Sequence, residues 1–374
     1  MLEAGKDPGR NLADKLLNEP GKPPRCCVVL RIAGEEGIQH ARGRLLDALR
    51  QRGKAGRRDS KLRLGEVLDA RGLYAEALPL LQHVVSEELR ASGDEDPKTL
   101  RASISLAQLK YHMGHYCEAE NMFRQCFEAM ERTLGPTHHD TLSSMSSLAV
   151  VMDDMGRAAD AQRLHRQCLE LCEGSLGAEH PETLTAANNL GGVLTTLGQF
   201  GEAEKLYRRC LEVSERTLGA EHPDTLVAIM NLASVLDDMG HSPEAETMYR
   251  RCLEVNERNL GSEHPDALSV VNNLAHVLCN MERHQEAEPL YRRCLEVRER
   301  TLGKDHPDTL ASIHNLAGVM TSQGRHSEAQ RCYQSCLQAM DRILGPEHPN
   351  TLAAVSNLAA VPGLKALQPS MRYK

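Results

Sequence analysis

Residues 222–263 read HPDTLVAIMNLASVLDDMGHSPEAETMYRRCLEVNERNLGSE, and this stretch decides the fold. Pro223 suits a first helical turn, where its missing N–H costs nothing. Asp224 places negative charge at the positive end of that helix's dipole. Leu226, Ile229, Leu232, Ala233 and Leu236 recur at helical spacing and form one apolar stripe. Gly240 can take the left-handed conformation that ends a helix. Ser242 then reads as a cap and Pro243 as the opening of a second helix. Ala245, Met248, Tyr249, Cys252 and Leu253 give that helix its apolar face, and Leu260 and Gly261 end it. A two-helix unit of this size cannot bury its stripe alone, so neighbouring units must stack on it.

Neighbours are present, because the pattern recurs every 42 residues. His138, His180, His222, His264, His306 and His348 hold the period without a slip, and Pro follows the last five. Gly114, Gly156, Gly198, Gly240 and Gly324 share the register, with Glu282 in place of the expected glycine once. Gly135, Gly177, Gly219, Gly261, Gly303 and Gly345 form a second glycine column, and Cys126, Cys168, Cys210, Cys252, Cys294 and Cys336 a cysteine column. Clear repeats run from 96 to 347. A divergent one precedes them at 54–95, where Gly72, Glu76, Ala77 and Gly93 fall on the period. A half repeat follows at 348–361, broken by Pro362 and Gly363, and its lone helix should expose apolar surface. Residues 1–53 are expected to be a poorly ordered segment with a degenerate helix near 35–51, and 362–374 a tail.

Composition agrees with helices and narrows the function. Ala, Leu, Glu and Arg dominate, Trp is absent and Phe occurs 3 times. With 44 Lys and Arg against 52 Asp and Glu, the formal charge is −8. That balance argues against a nucleic-acid binder. No apolar run approaches the ~18 residues a membrane span needs. The N-terminus carries no secretion signal pattern, so a cytoplasmic location with reduced cysteines is expected. There is no phosphate-binding glycine loop, no His-Glu-x-x-His and no convergent Ser-His-Asp arrangement, so no enzymatic activity, cofactor or metal is expected.

The residue columns resemble the tetratricopeptide repeat. Leu190 with Gly191, then Ala203, Tyr207 and Cys210, match its signature of small and aromatic residues. Leu232, Ala233, Ala245, Tyr249 and Cys252, then Leu274, Ala275, Ala287, Tyr291 and Cys294, repeat it. The 42-residue length, the Asn-Leu-Ala segment and the Leu-Gly-x-x-His-Pro linker resemble the subclass of kinesin light chains and nephrocystin-like proteins. The resemblance implies an all-α, right-handed superhelical α-solenoid with first helices lining a concave face. It implies a scaffold or adaptor that binds peptide or protein partners, or a kinesin light-chain-like cargo-binding subunit. The first 53 residues hold no sustained heptads of the kind that join such light chains to their motor.

Four columns invite a site reading. The histidines stand at helix entries, one per repeat, where capping or packing explains them better than metal ligation. The column cysteines follow the aromatic by three, where a small buried residue is wanted. Glu212 with Arg216, Glu254 with Arg258 and Glu296 with Arg300 are spaced as i,i+4 pairs, beside Arg208-Arg209, Arg250-Arg251 and Arg292-Arg293 on what reads as a solvated outer face. The asparagines are the strongest candidate, because Asn189, Asn231, Asn273, Asn315 and Asn357 repeat in mid-helix, where asparagine is a mediocre former. Either they offer amides to an extended peptide backbone, or they form a ladder between repeats. On the first reading the groove is lined by Asn188, Asn189, Met230, Asn231, Asp237, Asp238, Asn272, Asn273, His276, His314 and Asn315. Its carboxylates and lack of Lys or Arg favour a basic ligand.

Overall fold

The computed structural model describes residues 54–346 and 348–361. The expectations for 1–53 and 362–374 lie outside the described residues. What is described consists of helices joined by short turns, with no strand. Numbered in chain order, these are α1 (Lys54–Ala70), α2 (Tyr74–Ser92), α3 (Pro97–His112), α4 (Tyr116–Leu134), α5 (His139–Asp154), α6 (Ala158–Leu176), α7 (Pro181–Thr196), α8 (Phe200–Leu218), α9 (Pro223–Asp238), α10 (Ser242–Leu260), α11 (Pro265–Asn280), α12 (His284–Leu302), α13 (Pro307–Ser322), α14 (His326–Leu344) and α15 (Pro349–Ala360). The fold class is an all-α helical-repeat solenoid. The described residues form two compact units, 54–255 and 256–361, and the division falls inside α10.

From α3 to α14 each repeat is a hairpin of a 16-residue first helix and a 19-residue second helix. The histidine column starts the first helices. Nδ1 of His138, His180, His222, His264 and His306 accepts the N–H of the residue two positions on, at 3.1–3.3 Å. In α3 an aspartate does the same, Asp96 Oδ1 accepting from Lys98 N–H at 2.9 Å. The turn within each hairpin needs positive φ, supplied by Gly114, Gly156, Gly198, Gly240 and Gly324 at 76°, 76°, 71°, 82° and 76°. The linker to the next repeat is pinned from its far side, where Thr183, Thr225 and Thr309 donate Oγ1–H to the carbonyls of Gly177, Gly219 and Gly303 at 2.7–2.8 Å.

Ser242 differs from its sequence reading. It lies inside α10, and its hydroxyl donates to Asp237 Oδ1 at 2.6 Å. The other second helices whose N-caps are resolved have no side-chain cap either; they are held by packing.

The core runs between the two helices of each hairpin and on into the next hairpin, as in the cluster of Ala107, Phe123, Leu148, Ala161 and Val193. Small residues at Ala107, Ala149, Gly191, Ala233, Ala275 and Ala317 face the aromatic column of the second helices. Tyr207 lies so close to Gly191 that a Cβ there would meet its Cζ at 2.6 Å. The column cysteines are buried and free, and each thiol points at the carbonyl of the leucine 26 residues earlier, at 3.4–3.9 Å. Burial pushes these thiols up to about 11 or 12, so they stay protonated and act as small hydrophobes. α15 is the last described helix. Leu352 and Val355 are 52% and 40% exposed there, whereas Leu310 at the same repeat position is 2% exposed.

Candidate protein-binding face of the first helices

The asparagine column sits on first helices as a half-buried row. Its amides bond across repeats with an offset of 43, one more than the period. In the unit 54–255, Asn189 Nδ2–H donates to Ser146 Oγ at 2.8 Å, and Asn231 Nδ2–H to Asn188 Oδ1 at 3.4 Å. In the unit 256–361, Asn315 Nδ2–H donates to Asn272 Oδ1 at 2.8 Å, and the Asn357 amide nitrogen meets His314 Nε2 at 2.7 Å. The doubled asparagines at 188 and 272 are therefore acceptors in two of these four rungs, with Ser146 and His314 at the same position in the others. Each rung engages one N–H of the donor amide, out of two N–H groups and one carbonyl per side chain.

A second row of contacts follows two turns later on the same helix face, with the same offset. Thr196 Oγ1–H donates to Asp153 Oδ2 at 3.3 Å, Tyr111 O–H to Asp154 Oδ2 at 2.5 Å, and His112 Nδ1 meets Asp69 Oδ1 at 2.8 Å. Sequence reading missed this row and the acceptor Ser146. The signal lay in the offset, since residues one place before each column position face that column in the next repeat.

The expected lining divides by unit. In 54–255 the structure brings Asn188, Asn189, Met230, Asn231 and Asp238 onto the adjacent helices α7 and α9, half-buried apart from the exposed Asp238. Asp237 is only 9% exposed and accepts from Ser242, so little of its carboxylate is left open to a ligand. In 256–361, α11 and α13 carry Asn272, Asn273, His314 and Asn315, half-buried, with His276 exposed. His314 packs edge-on against the ring of Tyr333 at 5.3 Å, and burial lowers its pKa.

The charges segregate by helix. α5, α7, α9, α11 and α13 contain carboxylates and no Lys or Arg. From α4 to α14 the arginines stand on second helices and in the turns, and many of them are paired. Arg208, Arg250 and Arg292 hold Glu204, Glu246 and Glu288 one turn back. Arg209, Arg251 and Arg293 reach Glu173, Glu215 and Glu257 of the preceding second helix at 2.5–2.8 Å. The expected i,i+4 partners of Arg216 and Arg300 are not the ones they bond. These two reach Glu179 and Glu263 in the preceding linker, both at 2.5 Å, because the stack presents that carboxylate closer than their own helix does. Such exposed pairs contribute about 0–1 kcal/mol each, so their main consequence is to leave no free basic stripe on this side.

Among the described residues, no group of three or more His, Cys, Asp or Glu converges as a metal site, and no helix is long and apolar enough to cross a membrane. The family model described as tetratricopeptide repeat matches residues 58–132, 118–174, 154–215, 182–258, 265–340 and 309–361. Among solved structures, the chain is similar to RapI in its apo form, at 13% identity and a TM-score of 0.54, covering 76% of this chain and 97% of that one. It also matches the nearly identical TPR-like repeats named for a kinesin light chain of Podosopora anserina, at 28% identity and a TM-score of 0.44, covering 54% of this chain and 95% of that one. BtubC (BKLC) from P. vanneervenii matches at 19% identity and a TM-score of 0.46, over 62% of this chain and 91% of that one. No curated protein matches the chain.

Proposed function

The chain belongs to the tetratricopeptide repeat family, and from that premise we propose that it is a non-catalytic scaffold or adaptor that holds an extended segment of a partner protein along the exposed faces of its first helices. The observation that carries this reading is the amide row. Polar side chains of first helices are spent on rungs between repeats, yet each amide keeps donor or acceptor capacity toward solvent, which suits a peptide backbone. The carboxylates and missing cations of these helices favour a basic segment over an acidic or phosphorylated one. Neither nucleic acid nor a membrane is a partner on this reading. The free buried thiols suit a reducing compartment, and we place the protein in the cytoplasm.

The experiment must separate a binding amide from a structural one, and the ladder supplies the variant. Ser146 already serves as acceptor where Asn188 and Asn272 serve later. Asn188→Ser and Asn272→Ser therefore keep an acceptor for the rung and delete the outward N–H groups. Against a peptide selected from a random library on the intact protein, the pair should weaken binding by about 2- to 10-fold per lost hydrogen bond, with the unfolding midpoint unchanged. Unchanged affinity with a lowered midpoint makes the row structural only.

A second reading, a kinesin light-chain-like cargo-binding subunit, is favoured by the 42-residue period and the Leu-Gly-x-x-His-Pro linker. Copurification with a motor heavy chain decides for it.

A further inference from the structure

Aromatic residues are scarce in this chain, with 8 Tyr and 3 Phe in 374 residues. Tyr207, Tyr249, Tyr291 and Tyr333 belong to the buried column. Of the others, Tyr74, Tyr111 and Tyr116 gather at one place in the unit 54–255, where α1, α3 and α5 end and α2 and α4 begin. The rings of Tyr111 and Tyr116 are 5.6 Å apart and tilted by 41°, and Tyr74 stacks on His112 at 6.3 Å. All four side chains are half-buried, so part of each ring faces solvent. Packing alone explains the buried part, since Tyr111 and Tyr116 border the core cluster around Phe123 and Leu148. It does not explain the polar company the rings keep.

That company is acidic. Tyr111 O–H donates to Oδ2 of the exposed Asp154 at 2.5 Å. Asp153 lies beside it, and its Oδ1 is buried without a hydrogen-bond partner. The basic groups nearby are already committed. Lys110 pairs with Glu118, and Arg157 with Glu120 and Asp160. His112 uses Nδ1–H toward Asp69 at 2.8 Å and meets the Gln108 amide through Nε2 at 3.1 Å. Burial and the neighbouring Asp154 both raise the Tyr116 phenol, which places that ring within the carboxylate's field. An open aromatic face beside uncompensated carboxylates is the environment that attracts a cation, and a planar guanidinium both stacks on tyrosine and forks onto a carboxylate.

We propose that Tyr111, Tyr116 and Asp154 form a docking site for an arginine side chain of the bound partner segment. The guanidinium stacks on the exposed ring faces and bonds to Asp154. Tyr111 and Asp154 lie on the first-helix face, two turns beyond the amide row, and Tyr116 opens the second helix α4 beside them, which assigns the arginine to the α3–α5 region of the unit. The proposal rests on the reading of that face as the binding surface, and its test is built to fail separately.

The test uses the full chain labelled with 3-fluorotyrosine, its fluorine resonances assigned by single Tyr→Phe variants. The probe is the blocked tripeptide Gly-Arg-Gly, with the same peptide carrying neutral citrulline as control. The expected result is a saturable shift of the Tyr111 and Tyr116 resonances with arginine, absent with citrulline and absent at the column tyrosines. Asp154→Asn keeps an acceptor for Tyr111 and removes the charge; Tyr116→Leu removes one ring. Each should weaken the apparent affinity by about two- to fivefold, the size of an exposed cation–π contact, with an unchanged circular-dichroism spectrum. Equal shifts with citrulline, shifts spread over all tyrosines, or no shift would overturn the proposal. If library peptides bind the amide row but leave these resonances unmoved, this site falls and the face reading stands. If the arginine probe shifts them while no library peptide binds, the face reading falls and the site stands as a cation pocket.

Discussion

Glu282 is the residue other than glycine with positive φ among the described residues, at 61°, in a column where glycine otherwise sits. An L side chain held there costs roughly 1–2 kcal/mol. Glu282→Gly should therefore stabilise the unit 256–361 by about 1 kcal/mol, less than the full strain because glycine gains freedom in the unfolded chain. Urea unfolding measures it, and a midpoint that falls would show that the Glu282 side chain contributes more than its backbone strain removes. His165 is the converse case. It stands in the aromatic column, 1% exposed, with Nδ1 unpartnered and its pKa pushed down by burial to about 4. Unfolded, it titrates near ~6.5, so the unfolded chain binds the proton first. Stability is unaffected by it above that value, falls as pH drops toward 4, and the loss amounts to about 3 kcal/mol once both states are protonated. His165→Tyr, the residue most later repeats use, should flatten stability against pH between those limits relative to the parent. Identical pH slopes in parent and variant would contradict the burial assigned to this imidazole.

First helices begin with a side-chain cap. The sequence favours capping or packing over a ligand array for the histidine column, and the imidazoles of His138, His180, His222, His264 and His306 each accept the cap bond of their own helix. Asp96 shows that a carboxylate does the same work. His222→Ala should cost about 1 kcal/mol and His222→Asp nearly nothing at neutral pH. Thermal melts of both variants and the parent at pH 7 report it, and a His222→Ala melt equal to the parent's would contradict the cap. The hairpins, their turns and the buried cysteine faces were legible because each follows from residues near in sequence: a proline at an entry, a glycine at a bend, an apolar stripe. The rungs were not. Whether Asn231 meets Asn188 or Asn189 depends on how one hairpin slides on the next, which side-chain volumes between helices decide. The same slide gives Arg216 to Glu179 instead of Glu212.

At the scale of the whole molecule, the chain sorts its chemistry by helix. Second helices carry arginine–glutamate pairs, and the first helices α5, α7, α9, α11 and α13 carry amides, hydroxyls and carboxylates. The candidate face was half legible. The asparagines are half-buried and Asp238 exposed on first helices, Asp237 is nearly buried, and the aromatic cluster around Tyr111 was unread because it breaks the period instead of obeying it. The central claim is that a partner segment lies on first helices. Site-specific photocrosslinking tests it most directly, with the reactive residue placed at Val227 on α9, 49% exposed and one turn before Asn231, or at the exposed Glu212 on the second helix α8. A peptide selected from a random library should crosslink from position 227 and not from 212. Crosslinking from 212 alone, or failure of any library to yield a peptide that reaches 227, would contradict the account.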